Sequence, residues 1–551
     1  MLTDKQKKVI KSFCLQNAIF YKGKAKPDAV IGKVIACVPE LKQKIDDVRK
    51  EIAACVKAVN KMSIEQQRAQ LAKIAPQLLE KVEKSKEPLS PLPKAVEGQF
   101  VTRFAPSPTG PLNIFHFLRA ISMPWFYAKK YKGKFILRFD DTDPRKIEKK
   151  FYTWIIEDMK RCGIEPDSII YESDYMADYY KYAEKMIKAG HAYICRCPAE
   201  KFREMKTKKI NCPCQTDTNL KVWQDVLKGK FGEGEAVIRL KTSMAEPNPA
   251  LRDPPLLRII DARHPRVGKR YKLWPVYNFA SVICDHEEGT THIFRGKEHE
   301  HNTKIQAKIY QALGWPEPYV LNFGMIYLPG TKMHTRDIKA EIAAGRISGW
   351  DDPSLPTLRA LLRRGYQPEA FKQLALQIGL TKTDIKLGWE NLDGINRKIV
   401  DPVANRYFAV IDPIPIEIKI DVKEVKQNLH PDFPQRGYRE IPVGKTIYIQ
   451  KSDFESLKGK QFRLIGLCNI VLKEGIAIVK GKQIVKDMPK IQWVSEQNAK
   501  IKIIKPGHIL TGLAEPDIAK CKVGDIVQLE RIGFGRIEKI GKEVVFVWAH
   551  K

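Results

Sequence analysis

The chain has 551 residues, 43 % of them hydrophobic and 29 % charged, and 96 Lys plus Arg against 64 Asp plus Glu give a net charge of +32. That length predicts about three or four domains of roughly 150 residues, and the charge points to a polyanionic partner, nucleic acid first, or to a solubilising lysine-rich surface. Eleven scattered cysteines speak against a disulfide framework, and the absence of an apolar signal core and of a long apolar run predicts no membrane span and a reducing cytoplasm.

Residues 1–96 read as a basic helical region, with 20 Lys or Arg against 10 Asp or Glu. Apolar residues recur at helical spacing around Ile52–Val59, and Ser63 with Gln66 forms an N-cap pattern. The region reads as a small basic helical domain or as a plain helical bundle with no ligand. Three prolines, Pro88, Pro91 and Pro93, mark a linker. Next come a short strand at 99–105, a turn Pro106–Pro111 containing Gly110, a helix carrying Phe115, Phe117, Leu118 and Ile121, and a strand Phe135–Phe139 ending in Asp140-Asp141-Thr142-Asp143. Strand, glycine-containing turn, helix and strand make a βαβ unit, whose ligands bind at the carboxyl ends of the strands. Residues 145–193 read as helical, 194–300 as mixed and 351–400 as helical. From about residue 405 short strands such as Tyr407–Ile411, Thr446–Ile449 and Val544–Trp548 suit β-barrels.

The sharpest chemical signal is Arg103-Phe-Ala-Pro-Ser-Pro-Thr-Gly-Pro-Leu-Asn-Ile-Phe-His116. A turn feeding a helix N-terminus can hold phosphate on backbone N–H groups, and Gly110 permits close backbone approach. Arg103 at a strand end can clamp a carboxylate through two N–H groups. Asn113 and His116, three apart, share a face that could donate to developing phosphate charge. Cys195-Arg-Cys197 and Cys212-Pro-Cys214 form C-x-C-x14-C-x-C, which suits a tetrahedral zinc site or plain reduced thiols.

These motifs resemble those of the class I aminoacyl-tRNA synthetases, in their archaeal-type glutamyl form. The first segment is similar to the signature R-F-x-P-S-P-T-G-x-L-H-I-G-H. Arg138–Pro144, Leu273–Ala280, Asp285-His286, Thr291–His299, Gly349–Arg359 and Ile395–Tyr407 resemble further segments of the same enzymes, in order, and Lys22–Lys33 resembles their N-terminal extension. The resemblance implies an α/β multidomain chain: a Rossmann-type catalytic core, a helical N-terminal extension and all-β anticodon-binding barrels. The implied boundaries are 1–96 for the extension and 97–193 for the first half of the core. An acceptor-stem insertion with the cysteines follows at 194–272, then the second half of the core at 273–345, a helical connector at 346–404 and barrels at 405–551. The implied activity is ATP-dependent ligation of L-glutamate to tRNA(Glu) through glutamyl-adenylate, with magnesium accompanying ATP and a monomer as the default. The alternatives are a glutaminyl-tRNA synthetase and a tRNA-binding homologue with impaired chemistry.

Residue by residue, the resemblance assigns Arg103 to the glutamate side-chain carboxylate, Ser107 and Asp140 to its α-amino group and backbone, and Tyr277 and Arg295 to the pocket lining. Pro106, Ser107, Thr109, Gly110, Asn113 and His116, with Lys332, Met333 and Arg336 of the second signature, are assigned to ATP, and Lys339 is a helper. Zinc on Cys195, Cys197, Cys212 and Cys214 would be structural. His286, His292, His299 and His301 are placed around the active-site cleft. The basic strands at Arg531–Arg536 suit an unpaired anticodon loop or ordinary barrel packing. The sequence departs from the family pattern where Asn113 and Phe115 replace a histidine and a glycine, and where His334 replaces a serine. Both departures fall on ATP-handling motifs and bear on the rate of adenylate formation.

Overall fold

The computed structural model describes residues 2–21, 23–79, 89–331 and 335–551, in two compact units, 1–87 and 88–551. The first unit holds four α-helices, Asp4–Phe20, Pro27–Cys37, Ile45–Val59 and Ile64–Ile74. Ile10, Leu15, Val30, Val48, Ile52 and Leu71 fill its core. The expected N-cap is present as a reciprocal box: Ser63 Oγ accepts from the Gln66 N–H at 3.2 Å, and Gln66 Oε1 accepts from the Ser63 N–H at 3.0 Å. Buried Gln67 donates to the carbonyls of Gly23 and Val59, both at 3.0 Å, and so ties the loops to the bundle.

The second unit is built on a five-stranded parallel sheet. Its strands are β1 (Val101–Phe104), β2 (Lys134–Phe139), β3 (Ser168–Tyr171), β8 (His292–Gly296) and β9 (Tyr319–Phe323), in the order β3-β2-β1-β8-β9. Helices Ser122–Lys130 and Lys149–Arg161 carry Met123, Tyr127, Ile155 and Met159 into the core beside the sheet's Phe135, Leu137 and Phe139. The helical reading of 145–193 misses β3, a four-residue edge strand with exposed and half-buried residues that give no apolar alternation.

Between β3 and β8 the chain inserts a four-stranded antiparallel sheet: β4 (Ala192–Cys195), β5 (Val237–Leu240), β6 (Pro255–Ile259) and β7 (Leu273–Pro275). Strand β7 leads directly into helix Tyr277–Glu287, which packs with Glu300–Leu313. Helices Leu358–Arg364, Pro368–Ile378 and Trp389–Val400 then lead to two seven-stranded sheets.

The run read as one strand at Tyr407–Ile411 is two. Asn405–Tyr407 and Ala409–Ile411 are the opposite edge strands of one seven-stranded sheet. Side chains alternate: Tyr407, Ala409 and Ile411 enter the core of that sheet, whereas Phe408 and Val410 enter the core of the next. The C-terminal strand Val544–His550 is tied back to the helices, with Arg364 donating to the carbonyls of Trp548 at 3.2 Å and Ala549 at 2.5 Å. No helix among the described residues is long and apolar enough to cross a membrane.

Candidate active site

The carboxyl ends of β1 and β8 and the helices that follow enclose a cavity of about 340 Å³, lined by Arg103, Phe115, His116, Tyr277, Arg295 and His299 among others. That volume suits a small ligand. Strand β1 delivers Arg103, β8 delivers Arg295, and the first residue of helix Tyr277–Glu287 delivers Tyr277. Three of the five residues assigned to the amino acid therefore meet in one place.

Arg103 is buried, and its Nε and Nη2 face Asp285 at 2.8 and 3.4 Å. One edge of its guanidinium is thus taken by an internal carboxylate rather than open to a ligand. Burial works against its charge, but Asp285 outweighs that and holds its pKa above the ordinary arginine value. Asp285 also accepts from Arg138 Nη1 at 2.9 Å, and Arg138 reaches Glu288 at 3.0 Å and Glu172 at 3.3 Å. All five side chains are buried. Burial raises the Glu172 and Glu288 carboxyls, whereas Asp285, although buried, is held below the usual range by its two arginines. Arg295 donates to Gln306 Oε1 at 2.8 Å and Thr303 Oγ1 at 2.5 Å, and Tyr277 is a further partner.

The motif after β2 folds against the first signature turn. The Asp140 N–H donates to the Pro106 carbonyl at 3.0 Å, and the Glu148 N–H to that of Pro108 at 3.1 Å. Asp140 is half-buried, and burial raises its carboxyl. Asp141 is structural: it accepts from Tyr152 at 2.7 Å and from the N–H and Oγ of Ser173, both at 2.8 Å. Ser107 is exposed, and the Thr109 N–H turns back to its carbonyl at 2.8 Å.

On the nucleotide side, Asn113 Oδ1 accepts from the His116 N–H at 2.9 Å. The Asn113 oxygen therefore caps the helix, which then runs through a π-helical turn, His116–Ile121. His116 borders the open cleft on one side, and crowding on the others pushes its pKa down to about 4. Its Nδ1 accepts from the Asn113 N–H at 3.4 Å. A Cβ on Gly110 would stand 2.9 Å from Thr335 Cγ2. The close approach that requires glycine is thus to the helix Thr335–Ala343 of the second signature. Arg336 on that helix is exposed, 3.7 Å from Asp337. Lys339 is not free for phosphate, because it pairs with Glu148. Lys332, Met333 and His334 lie outside the described residues.

The four cysteine sulfurs lie within 4.8 Å of one another, with Sγ–Sγ distances of 3.8 Å for Cys195–Cys212 and 3.6 Å for Cys197–Cys212 and Cys197–Cys214. A tetrahedral zinc with bonds of about 2.3 Å needs edges of about 3.8 Å, so the donor set fits. Cys195 and Cys212 are buried in a small core with Tyr193, Phe202, Met205 and Met244.

Other expectations are corrected. Of the four histidines, His299 lines the cavity, but His286 stacks on Trp315 at 3.6 Å and His292 on Phe100 at 4.5 Å. Arg531 forms a two-bond pair with Asp453 at 2.6 and 2.8 Å. Sequence reasoning missed the roles of Arg138, Glu172 and Glu288 behind Arg103, and of Thr303 and Gln306 beside Arg295. Arg138 is signalled by its place in an otherwise apolar strand, Phe135-Ile-Leu-Arg-Phe139; nothing in the local sequence marks the others as partners.

Residues 99–402 match the family model for the catalytic domain of class I tRNA synthetases (E and Q), and 404–488 and 490–538 match its anticodon-binding domain models. The chain is 46 % identical over 564 residues to the glutamate–tRNA ligase of Pyrococcus abyssi, covering 98 % of each. It is 44 % identical to that of Pyrococcus furiosus, covering 99 % of each, and 37 % identical to that of Methanothermobacter marburgensis, covering 98 % of each.

Proposed function

The chain belongs to the class I tRNA synthetases of the glutamate and glutamine group, and from that premise we propose that it ligates L-glutamate to tRNA(Glu) at the expense of ATP. The observation that carries the reading is the cavity: two guanidinium groups and a tyrosine hydroxyl converge there, in a chain that matches glutamate–tRNA ligases along its full length. A glutaminyl enzyme is not favoured.

Arg103 and Arg295 hold the side-chain carboxylate, with Tyr277 beside them. Asp140 and Ser107 receive the α-ammonium group. The α-carboxylate oxygen then attacks the α-phosphorus of ATP, the bond to the bridging oxygen breaks, and pyrophosphate leaves. The Pro106–Gly110 turn, His116 and the donors of Asn113 surround the transferring phosphoryl group, and Arg336, with Lys332 and Met333 of the same signature, is assigned to the ATP phosphates. Magnesium enters with ATP as part of the substrate. A terminal ribose hydroxyl of tRNA next attacks the activated carbonyl, and AMP departs. No enzyme nucleophile is required; positioning and charge stabilisation supply the rate. The insertion at 194–272 meets the acceptor stem, the barrels at 405–551 meet the anticodon, and the work is done in the cytoplasm.

Labelled glutamate, ATP and tRNA(Glu) test the reading directly: the chain charges glutamate and not glutamine. One observation favours a second reading, namely Phe115 in the cavity wall where the signature has glycine. Binding of tRNA without charging, with activity appearing in the Asn113→His, Phe115→Gly double variant, would establish that impaired homologue instead.

Zinc on the four cysteines would hold the segment between Cys197 and Cys212, which carries the helix Ala199–Lys208, against β4. Metal analysis is expected to find one zinc per chain. Cys212→Ser, or a chelator, should release it and make the segment around 196–217 the first site of limited proteolysis. A chain that carries no zinc and resists cleavage equally with and without chelator would refute the site.

A further inference from the structure

The two guanidinium groups of the cavity are held by different chemistry. The charge of Arg103 is matched inside the protein by Asp285. Arg295 is equally buried, at 6 % exposure, but its partners are the Gln306 amide oxygen, the Thr303 hydroxyl and Tyr277. Among the described residues no carboxylate forms an ion pair with it; Asp285, already paired with Arg103 and Arg138, acts on it only from beyond ion-pair distance. A buried cation without a counter-ion is unfavourable until a ligand supplies one. Burial lowers the Arg295 pKa, the reverse of Arg103. Thr303 and Gln306 stand three apart on one face of helix Glu300–Leu313. The Thr303 hydroxyl donates to the His299 carbonyl at 3.4 Å, which turns its lone pairs toward Arg295.

We propose that Thr303 and Gln306 set the preference for glutamate over glutamine, by holding Arg295 with uncharged acceptors that leave its positive charge for the side-chain carboxylate of the bound amino acid. The inference rests on the ligase reading above and adds to it the residues that keep the charge available. An amide substrate would bring no negative charge to Arg295 and would leave the cation uncompensated. A carboxylate built into the protein at either position would occupy the charge in advance.

Gln306→Glu makes that change with almost no change of volume, and the adjacent guanidinium keeps the new carboxylate ionised. Charging of tRNA(Glu) is measured at varied glutamate and varied ATP, with glutamine affinity read as its inhibition constant against glutamate. The expected result is a rise in KM for glutamate of about tenfold or more, with glutamine inhibition unchanged or tighter and KM for ATP within about twofold. Thr303→Asp, which approaches Arg295 from its other terminal nitrogen, should move the same ratio in the same direction. Gln306→Met, which removes the hold on Arg295 without adding charge, should lower the glutamate-to-glutamine ratio by less than Gln306→Glu does; a loss as large as that of Gln306→Glu overturns the charge argument. An unchanged ratio in both acidic variants, or a KM for ATP that rises in step with that for glutamate, overturns the inference and leaves the two residues a purely structural part. A wild-type chain that charges no glutamate overturns the ligase reading, and the inference with it, before any variant is made.

Discussion

Replacing Arg103 by lysine should lower kcat/KM for glutamate by about 10²- to 10³-fold, or about 3–4 kcal/mol, while KM for ATP changes little. The arginine does two things with one planar group. Its Nε and Nη2 are fixed on Asp285 at 2.8 and 3.4 Å, and that pair aims the remaining N–H groups into the cavity. A lysine ammonium keeps the charge but cannot face Asp285 along one edge and a substrate along the other. The loss is therefore one of aim, and it should persist at saturating ATP. Steady-state charging at varied glutamate reads it; a variant within threefold of the parent would show that Arg103 makes no contact with the amino acid.

The second large effect concerns stability. Arg138→Met should destabilise the catalytic body by about 3–5 kcal/mol, because removing one partner of a buried ionic cluster strands the others. Three carboxylates, Asp285, Glu288 and Glu172, face Arg138 within 3.3 Å, all of them buried. The penalty should also depend on pH. Burial already raises the Glu172 and Glu288 carboxyls in the folded chain, and loss of the cation raises them further. A carboxyl whose folded pKa lies above its unfolded one binds more protons when folded, so stability falls as pH rises above the ordinary carboxyl range. The variant should therefore recover part of its loss when urea unfolding is moved from about pH 8 to about pH 5.5. An unfolding midpoint equal to that of the parent at both pH values would show that the cluster contributes nothing.

What the sequence discloses and what it withholds divide along chain distance. The Ser63–Gln66 cap and the β1–helix–β2 unit are local, and the residue pattern states them outright. Arg103 and Arg295 are legible as strand-end arginines in recognisable motifs. Their partners are not: Arg103 and Asp285 are 182 residues apart, and Arg138 and Asp285 are 147 apart. Asp285 stands in a segment that resembles the family's, but its pairing with Arg103 and Arg138 is visible only once the fold brings it behind β1. Asn113 illustrates the converse. The residue type suggested a phosphate donor, but its oxygen is engaged in a helix cap that any asparagine at that position could make. The short edge strand Ser168–Tyr171 was invisible because its residues are exposed or half-buried and carry no alternation.

The segment Asn405–Ile411 has a consequence for anyone who would divide this chain. Five apolar side chains in a row, Tyr407 to Ile411, are shared between two cores, and the flanking strands are the two outermost staves of one sheet. The family's anticodon-binding models part company near residue 489, yet the later barrel takes its first two staves from upstream of the earlier one. A fragment starting at residue 490 would lack both and could not close. The barrels are thus a single inheritable piece: a chimera that exchanges anticodon preference must carry residues from 405 onward together, or neither half will keep its shape.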